Sequence, residues 1–295
     1  MIEIMAGDGT KAQFFPERGG MMTSLIIGGQ ERLYVHDFLL AEQIDDLPGG
    51  LPFLFPVCGR VEYRGKLGFY SFNDKEYQLP IHGFSWNKAW QLINKGEDFI
   101  EIRLSHDETS LQIYPFRFEI ILRYEISPGE IVCYQRYKNL GDEALPYNSG
   151  FHPYFKNATQ INLAPLKQFF YNEKFTQFSD EKKLNGSLIQ LNYSQINQQL
   201  FLLDENKVEV TFADGQVLLM KASAEFPYLQ LYTQSGKEFI CVEPWMGFPN
   251  AINSAQGMRW LEPGGVEFAE IEIALCRPRE GAVVVPAKAG THLNS

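Results

Sequence analysis

No two of the four cysteines lie two residues apart, which excludes the paired spacing of structural zinc sites and thioredoxin-type redox centres. Cys58, Cys133, Cys241 and Cys276 all sit in apolar stretches and are expected as reduced core thiols. Basic runs are missing and the formal net charge is -10, so the chain lacks the cation density that offsets nucleic-acid phosphates. No stretch approaches the ~20 apolar residues that span a bilayer. Residues Met1 to Ile4 show no basic region followed by an apolar run. A signal peptide is therefore not read, and the cytoplasm is the expected compartment. There is no glycine-rich phosphate loop, no dinucleotide fingerprint and no His-Glu-x-x-His motif, so neither cofactor nor metal is expected. No Pro- or Ser-rich linker divides the chain. Residues 1–284 read as one domain and 285–295, which lack alternation, as a disordered tail.

What is present is apolar and aromatic. Of 295 residues, 45% are hydrophobic, and 23 Phe with 14 Tyr favour strands over helical bundles. Period-two alternation runs through Phe99 to Leu104 and Phe116 to Ile126. After Ser-Pro-Gly turns the chain, Ile131 to Tyr137 follows at hairpin distance. Lys207 to Phe212 and Gln216 to Met220 flank Ala213-Asp214-Gly215 as a second hairpin, and Val266 to Leu275 closes the alternating part. Convincing helical periodicity is absent, with a short helix over 173–180 as the one candidate. Many short strands joined by hairpin turns imply an all-β, antiparallel sandwich.

Three segments place titratable residues among aromatics and turn formers. His82 lies in Leu79-Pro80-Ile81-His82-Gly83-Phe84, with Asn87 adding a donor and acceptor nearby. A histidine in such a setting is either a packed core residue or a functional one. His152 follows the turn Asn148-Ser149-Gly150 and precedes Pro153, which restricts it to extended backbone. Its ordinary pKa of ~6.5 suits proton transfer near neutral pH. Glu243 ends the apolar run Phe239 to Val242 and precedes Pro244-Trp245. A carboxyl beside indole and apolar groups loses solvation and becomes a better base. The competing reading is a strand-end glutamate held by backbone donors. Arg60 ends an apolar run from Gly49; its guanidinium either pairs with a carboxylate or points donors into a cleft. Pro249, Asn250 and Asn253 form a loop able to present amides. His36, His106 and His292 read as surface residues, and Asp45 and Asp46 as loop charges.

Together these segments resemble the aldose 1-epimerase (galactose mutarotase) family over roughly residues 10–276. Four places carry the resemblance: Gly49-Gly50-Leu51-Pro52 through Gly59-Arg60; His82-Gly83-Phe84 with Asn87 and Trp90; Gly150-Phe151-His152-Pro153; and Val242-Glu243-Pro244-Trp245 with Pro249-Asn250. The resemblance implies a large antiparallel β-sandwich of the galactose-mutarotase type with a shallow cleft on one sheet. It implies Glu243 as the base on the anomeric hydroxyl and His152 as the acid on the ring oxygen. His82, Arg60 and Asn87 would bind the sugar, with Trp245 or Trp86 against its apolar face. Members also carry a sugar-binding aspartate, whose nearest match here is Asp204. In the branch acting on hexose 6-phosphates, an arginine that helps hold the phosphate stands where this chain has Trp86, which favours a free sugar. The implied partner is a small-molecule sugar, taken by a monomer or homodimer. A non-catalytic sugar binder on the same fold is the rival from another class. A glycoside hydrolase, which needs two carboxylates flanking the bond, ranks lower.

Overall fold

The computed structural model describes residues 1–37, 47, 49–184, 187–191 and 197–276. Two antiparallel sheets dominate. A four-stranded sheet runs in the order Ile2–Met5, Lys11–Phe15, Met21–Ile27, Gln30–Glu31. A much larger sheet of 15 strands starts at Gln91–Lys95 and passes through Phe99–Ser105, Phe118–Ser127, Glu130–Asn139 and Val266–Leu275. It continues through Val217–Ala222, Asn197–Phe212, Tyr228–Thr233 and Phe239–Trp245 to the short strands Gly150–Phe151 and Phe53–Leu54. The all-β expectation therefore holds.

The alternation seen in the sequence is the burial pattern. Along Phe118–Ser127 every second residue is buried, so Phe118, Ile120, Leu122, Tyr124 and Ile126 face the core and the residues between face outward. The small sheet closes that core from the other side, with Phe14 meeting the Tyr124 ring at a centroid distance of 4.7 Å. Ser127 pairs with Glu130 across a two-residue loop in which Gly129 takes φ 74°, the left-handed backbone that glycine adopts without strain.

Two helical expectations need correction. Residues 173–180 do not form a helix. Asn172 Oδ1 accepts the N–H groups of Thr176 and Gln177, which bends the chain into a turn, and the strand Phe178–Lys183 follows. A helix does form at Glu108–Ile113, where Asp107 and Ser110 make a reciprocal capping box. Six residues are too few for a 3.6-residue period to show in sequence.

Cys58, Cys133 and Cys241 are buried and Cys276 is half-buried, and none of the four is in a disulfide. His106 is half-buried against Phe118, not a simple surface residue. Among the described residues no helix is long and apolar enough to cross a membrane. Asp45, Asp46, His292 and the tail 285–295 lie outside the described residues.

Candidate active site

Register alone brings His152 and Glu243 together. Gly150 pairs with Trp245 and Tyr154 with Cys241, so the same antiparallel register sets His152 opposite Glu243. His152 and Pro153 form the gap between the two short strands. The fixed φ and missing N–H of proline interrupt the ladder there. The His152 N–H is held instead by Pro52 O at 2.9 Å. Gly150 has no room for a side chain, because a Cβ would stand 2.8 Å from Pro244 O and Trp245 Cδ1. On the other side of Glu243 the next strand pairs Gln230 with it. Residues directly opposite in antiparallel strands share a face. Gln230, Glu243 and His152 thus form a row across adjacent strands, all lining one cavity of about 190 Å³.

His152 Nε2 lies 3.3 Å from Glu243 Oε1, and the other carboxylate oxygen accepts from Trp245 Nε1 at 3.1 Å. Glu243 is 1% exposed and His152 4%. Burial drives the Glu243 carboxyl well above the ordinary carboxylate range, with the Trp245 N–H opposing it. Burial, with His82 alongside, drives His152 well below the ordinary imidazole range. His152 Nδ1 is buried without a hydrogen-bond partner. Cys58, deeply buried near Glu243, has its thiol pushed up by burial and then by that carboxylate, which makes it inert.

His82 sits at φ 62°, a strained position for a residue with a side chain, followed by Gly83 at φ 72°. A Cβ on Gly83 would come within 2.1 Å of Phe55 O. The turn is held by a two-way clamp: His82 N–H donates to Gly59 O at 2.9 Å, and Gly59 N–H donates to His82 Nδ1 at 3.1 Å. Since Nδ1 accepts, the neutral ring carries its proton on Nε2. The ring lies 5.1 Å from His152 and 5.7 Å from Trp245, centroid to centroid.

This tautomer decides a question of ligation. The donor atoms of His82, His152 and Glu243 lie within 4.8 Å of one another, a spacing open to a cation. A cation needs a lone pair on His82 Nε2, and the Gly59 clamp makes that nitrogen an N–H donor. The set suits a hydroxyl-bearing ligand better than a metal.

Burial, and then the nearby Arg60, lower the His82 pKa to about 3. The unfolded chain binds a proton near pH 6.5 that the folded chain refuses. The resulting stability is fully present above pH 6.5 and is lost as pH falls toward about 3. Between pH 7 and 5 the loss is about 2 kcal/mol. The melting-temperature gap between wild type and His82→Asn is therefore expected to narrow from pH 7 to pH 5. A gap that stays constant over that range contradicts the assignment.

Arg60, half-buried on the cavity wall, pairs with no carboxylate among the described residues, so its donors are available to a ligand. Trp245 lines the cavity through the indole that holds Glu243. The structure does not bring Asn87 and Asp204 to this cavity. Asn87 ends the single turn Ser85–Asn87, which sends Trp86 inward and leaves Asn87 exposed. Asp204 is exposed on Asn197–Phe212, six residues beyond Gln198, which does line the cavity. That separation is about 20 Å along a strand. Trp86 does not line the cavity; it is buried behind the wall, in one cluster with Tyr154 and Phe239, and donates to Gly83 O at 3.0 Å. Asn250 and Asn253 present no amide to the cavity, since both bind backbone of the loop at Glu62. His36, read as a surface residue, lines the cavity instead.

A sequence model of the family described as Aldose 1-epimerase matches residues 1–274. The chain belongs to the aldose 1-epimerase family. The proteins it is similar to are distant in sequence. A "Putative glucose-6-phosphate 1-epimerase" of Cenchrus ciliaris is 24% identical, covering 88% of this chain and 81% of its own. The Slr1438 protein of Synechocystis sp. PCC 6803 superposes with a TM-score of 0.79 at 27% identity, covering 90% of this chain and 91% of that one. A galactose mutarotase-like protein of Lactobacillus casei superposes with a TM-score of 0.80 at 20% identity, covering 94% and 100%. The galactose mutarotase-like fold expected from the motifs is the fold observed.

Tyr171 and Gln230 also line the cavity, and neither stood out in the sequence. One signal was available for Gln230: a lone amide between leucines in Tyr-Leu-Gln-Leu-Tyr-Thr, in the strand beside Glu243. Tyr171 carried none, since it ends a run with Phe169 and Phe170.

Proposed function

We propose that this chain is a mutarotase that interconverts the α and β anomers of a free aldohexose. The observation that carries this reading is the 3.3 Å approach of His152 Nε2 to Glu243 Oε1 on the wall of an open cavity. Glu243 takes the proton of the C1 hydroxyl as His152 protonates the ring oxygen. The C1–O5 bond breaks and C1 becomes an aldehyde. Rotation about C1–C2 presents the other carbonyl face, and reverse transfer closes the other anomer. His152 regains its proton and Glu243 loses one, so the pair is restored without an outside donor. His82 Nε2–H and the Arg60 guanidinium supply donors to sugar hydroxyls.

A non-catalytic binder has no need of an acid and a base within proton reach of one ligand. A glycoside hydrolase has need of two carboxylates, and among the described residues lining the cavity Glu243 is alone.

The second reading, a hexose-6-phosphate 1-epimerase, is favoured by the Cenchrus ciliaris relative and by the unpaired Arg60. Against it, Arg60 is the one permanent cation among the described lining residues, and Lys88 is held by Asp107 at 2.9 Å. By the resemblance of the histidine loop, Trp86 stands where the phosphate branch has an arginine. Wild-type protein is expected to show a higher kcat/KM for a free hexose than for its 6-phosphate in polarimetry. A much higher value for glucose 6-phosphate than for any free hexose replaces the first reading with the second.

A further inference from the structure

We propose that Tyr171, held by Gln230, reads the C2 hydroxyl of the sugar, so that the enzyme prefers aldoses with a free 2-hydroxyl over 2-deoxy aldoses. The proposal rests on the mutarotase reading. It follows from the order of strands around Glu243, with Tyr228–Thr233 on one side and the His152 segment on the other. In a pyranose, C1 is bonded to the ring oxygen and to C2. With the C1 hydroxyl at Glu243 and the ring oxygen at His152, C2 must turn to the opposite flank. That flank is Gln230 and Tyr171, both on the cavity wall.

The hydrogen bonds there are fixed in direction. Tyr171 Oη donates to Gln230 Oε1 at 2.7 Å, and Gln230 Nε2 donates to Leu231 O at 2.8 Å. Gln230 is 4% exposed, so its amide cannot turn to water for other partners. The phenol has given its one proton away and meets the cavity with lone pairs only. Burial, and then Glu243 nearby, hold it protonated. It is therefore a neutral acceptor waiting for a hydroxyl donor. The second Gln230 N–H stays available. A C2 hydroxyl satisfies the Tyr171 acceptor, and a C2 hydrogen leaves it unpaired in a partly dry wall. Gln230 acts through Tyr171 and is a positioning residue.

The test compares glucose with 2-deoxyglucose by polarimetry, each corrected for its uncatalysed rate, on wild type, Tyr171→Phe and Gln230→Met. Wild type is expected to prefer glucose in kcat/KM by about 10- to 100-fold, the cost of leaving one acceptor unpaired. Tyr171→Phe removes that acceptor and is expected to cut the preference at least fivefold, mostly by losing activity on glucose. Gln230→Met frees the phenol and is expected to reduce the preference in the same sense. A wild-type preference near one, with both sugars turned over, overturns the inference and leaves the mutarotase reading intact. So does an equal loss on both sugars in Tyr171→Phe, which marks a merely structural residue. Acceleration of neither sugar by wild type defeats the mutarotase reading itself, and this inference with it.

Discussion

Glu243→Gln is expected to lower kcat/KM by about 100- to 10,000-fold, the usual contribution of one positioned proton transfer. The glutamine keeps the shape of the carboxyl and its oxygen can still accept from Trp245 Nε1, now at 3.1 Å from Oε2. What disappears is the group proposed to take the proton from the C1 hydroxyl. His152→Asn should lose a similar factor by removing the donor to the ring oxygen. The double variant should be little worse than either single one, because both groups act in one step and coupled catalytic residues are not additive. Stability should not fall with activity. The carboxyl in the resting fold is buried, and its pKa is raised by that burial. Exchanging it for a neutral amide removes a group whose ionisation the fold resists, so Glu243→Gln should melt within about 1 kcal/mol of wild type. Near wild-type turnover in a normally melting Glu243→Gln sample places the base elsewhere.

The second large effect is on pH. The productive state holds one proton on the pair, on His152, with Glu243 bare. Burial favours the opposite placement, since it raises the carboxyl and lowers the imidazole. We expect the shared proton of the free protein to rest on Glu243, with the productive state as its minority partner. Both placements hold the same number of protons, so pH does not shift one against the other. The profile of kcat/KM is a bell whose limbs carry reversed assignments. The acid limb appears when a second proton reaches His152, below its ordinary 6.5. The basic limb appears when the last proton leaves Glu243, above its ordinary 4.5. Each limb costs about tenfold per pH unit beyond its midpoint. A loss of activity on acidification centred at or above pH 6.5 contradicts this placement of the proton.

Much of this site was legible because local chemistry marks it. His152 is followed by proline and Glu243 follows an apolar run; in the fold a ladder gap faces a buried carboxyl that lies within the strand Phe239–Trp245, not at its end. The strands from Phe118 to Tyr137 were legible because one face of each is buried, which imposes alternation. Asn87 and Asp204 were misplaced for a different reason. Their positions depend on how a one-turn helix and a 16-residue strand are aimed, which neighbouring residues do not encode. Tyr171 was silent, and Gln230 nearly so, because they meet through a side-chain hydrogen bond between residues 59 apart in sequence. The helix at Glu108–Ile113 was missed because its stability comes from an Asp107–Ser110 capping box, not from a periodic apolar face.

The most direct test of the central claim is exchange spectroscopy by proton NMR on an equilibrium mixture of α- and β-glucose with the purified protein. The account predicts cross-peaks between the two anomeric protons with wild type, and their loss with Glu243→Gln at the same protein concentration. Anomer exchange no faster than in buffer with the wild-type protein, across glucose, galactose and the other common aldoses, contradicts it.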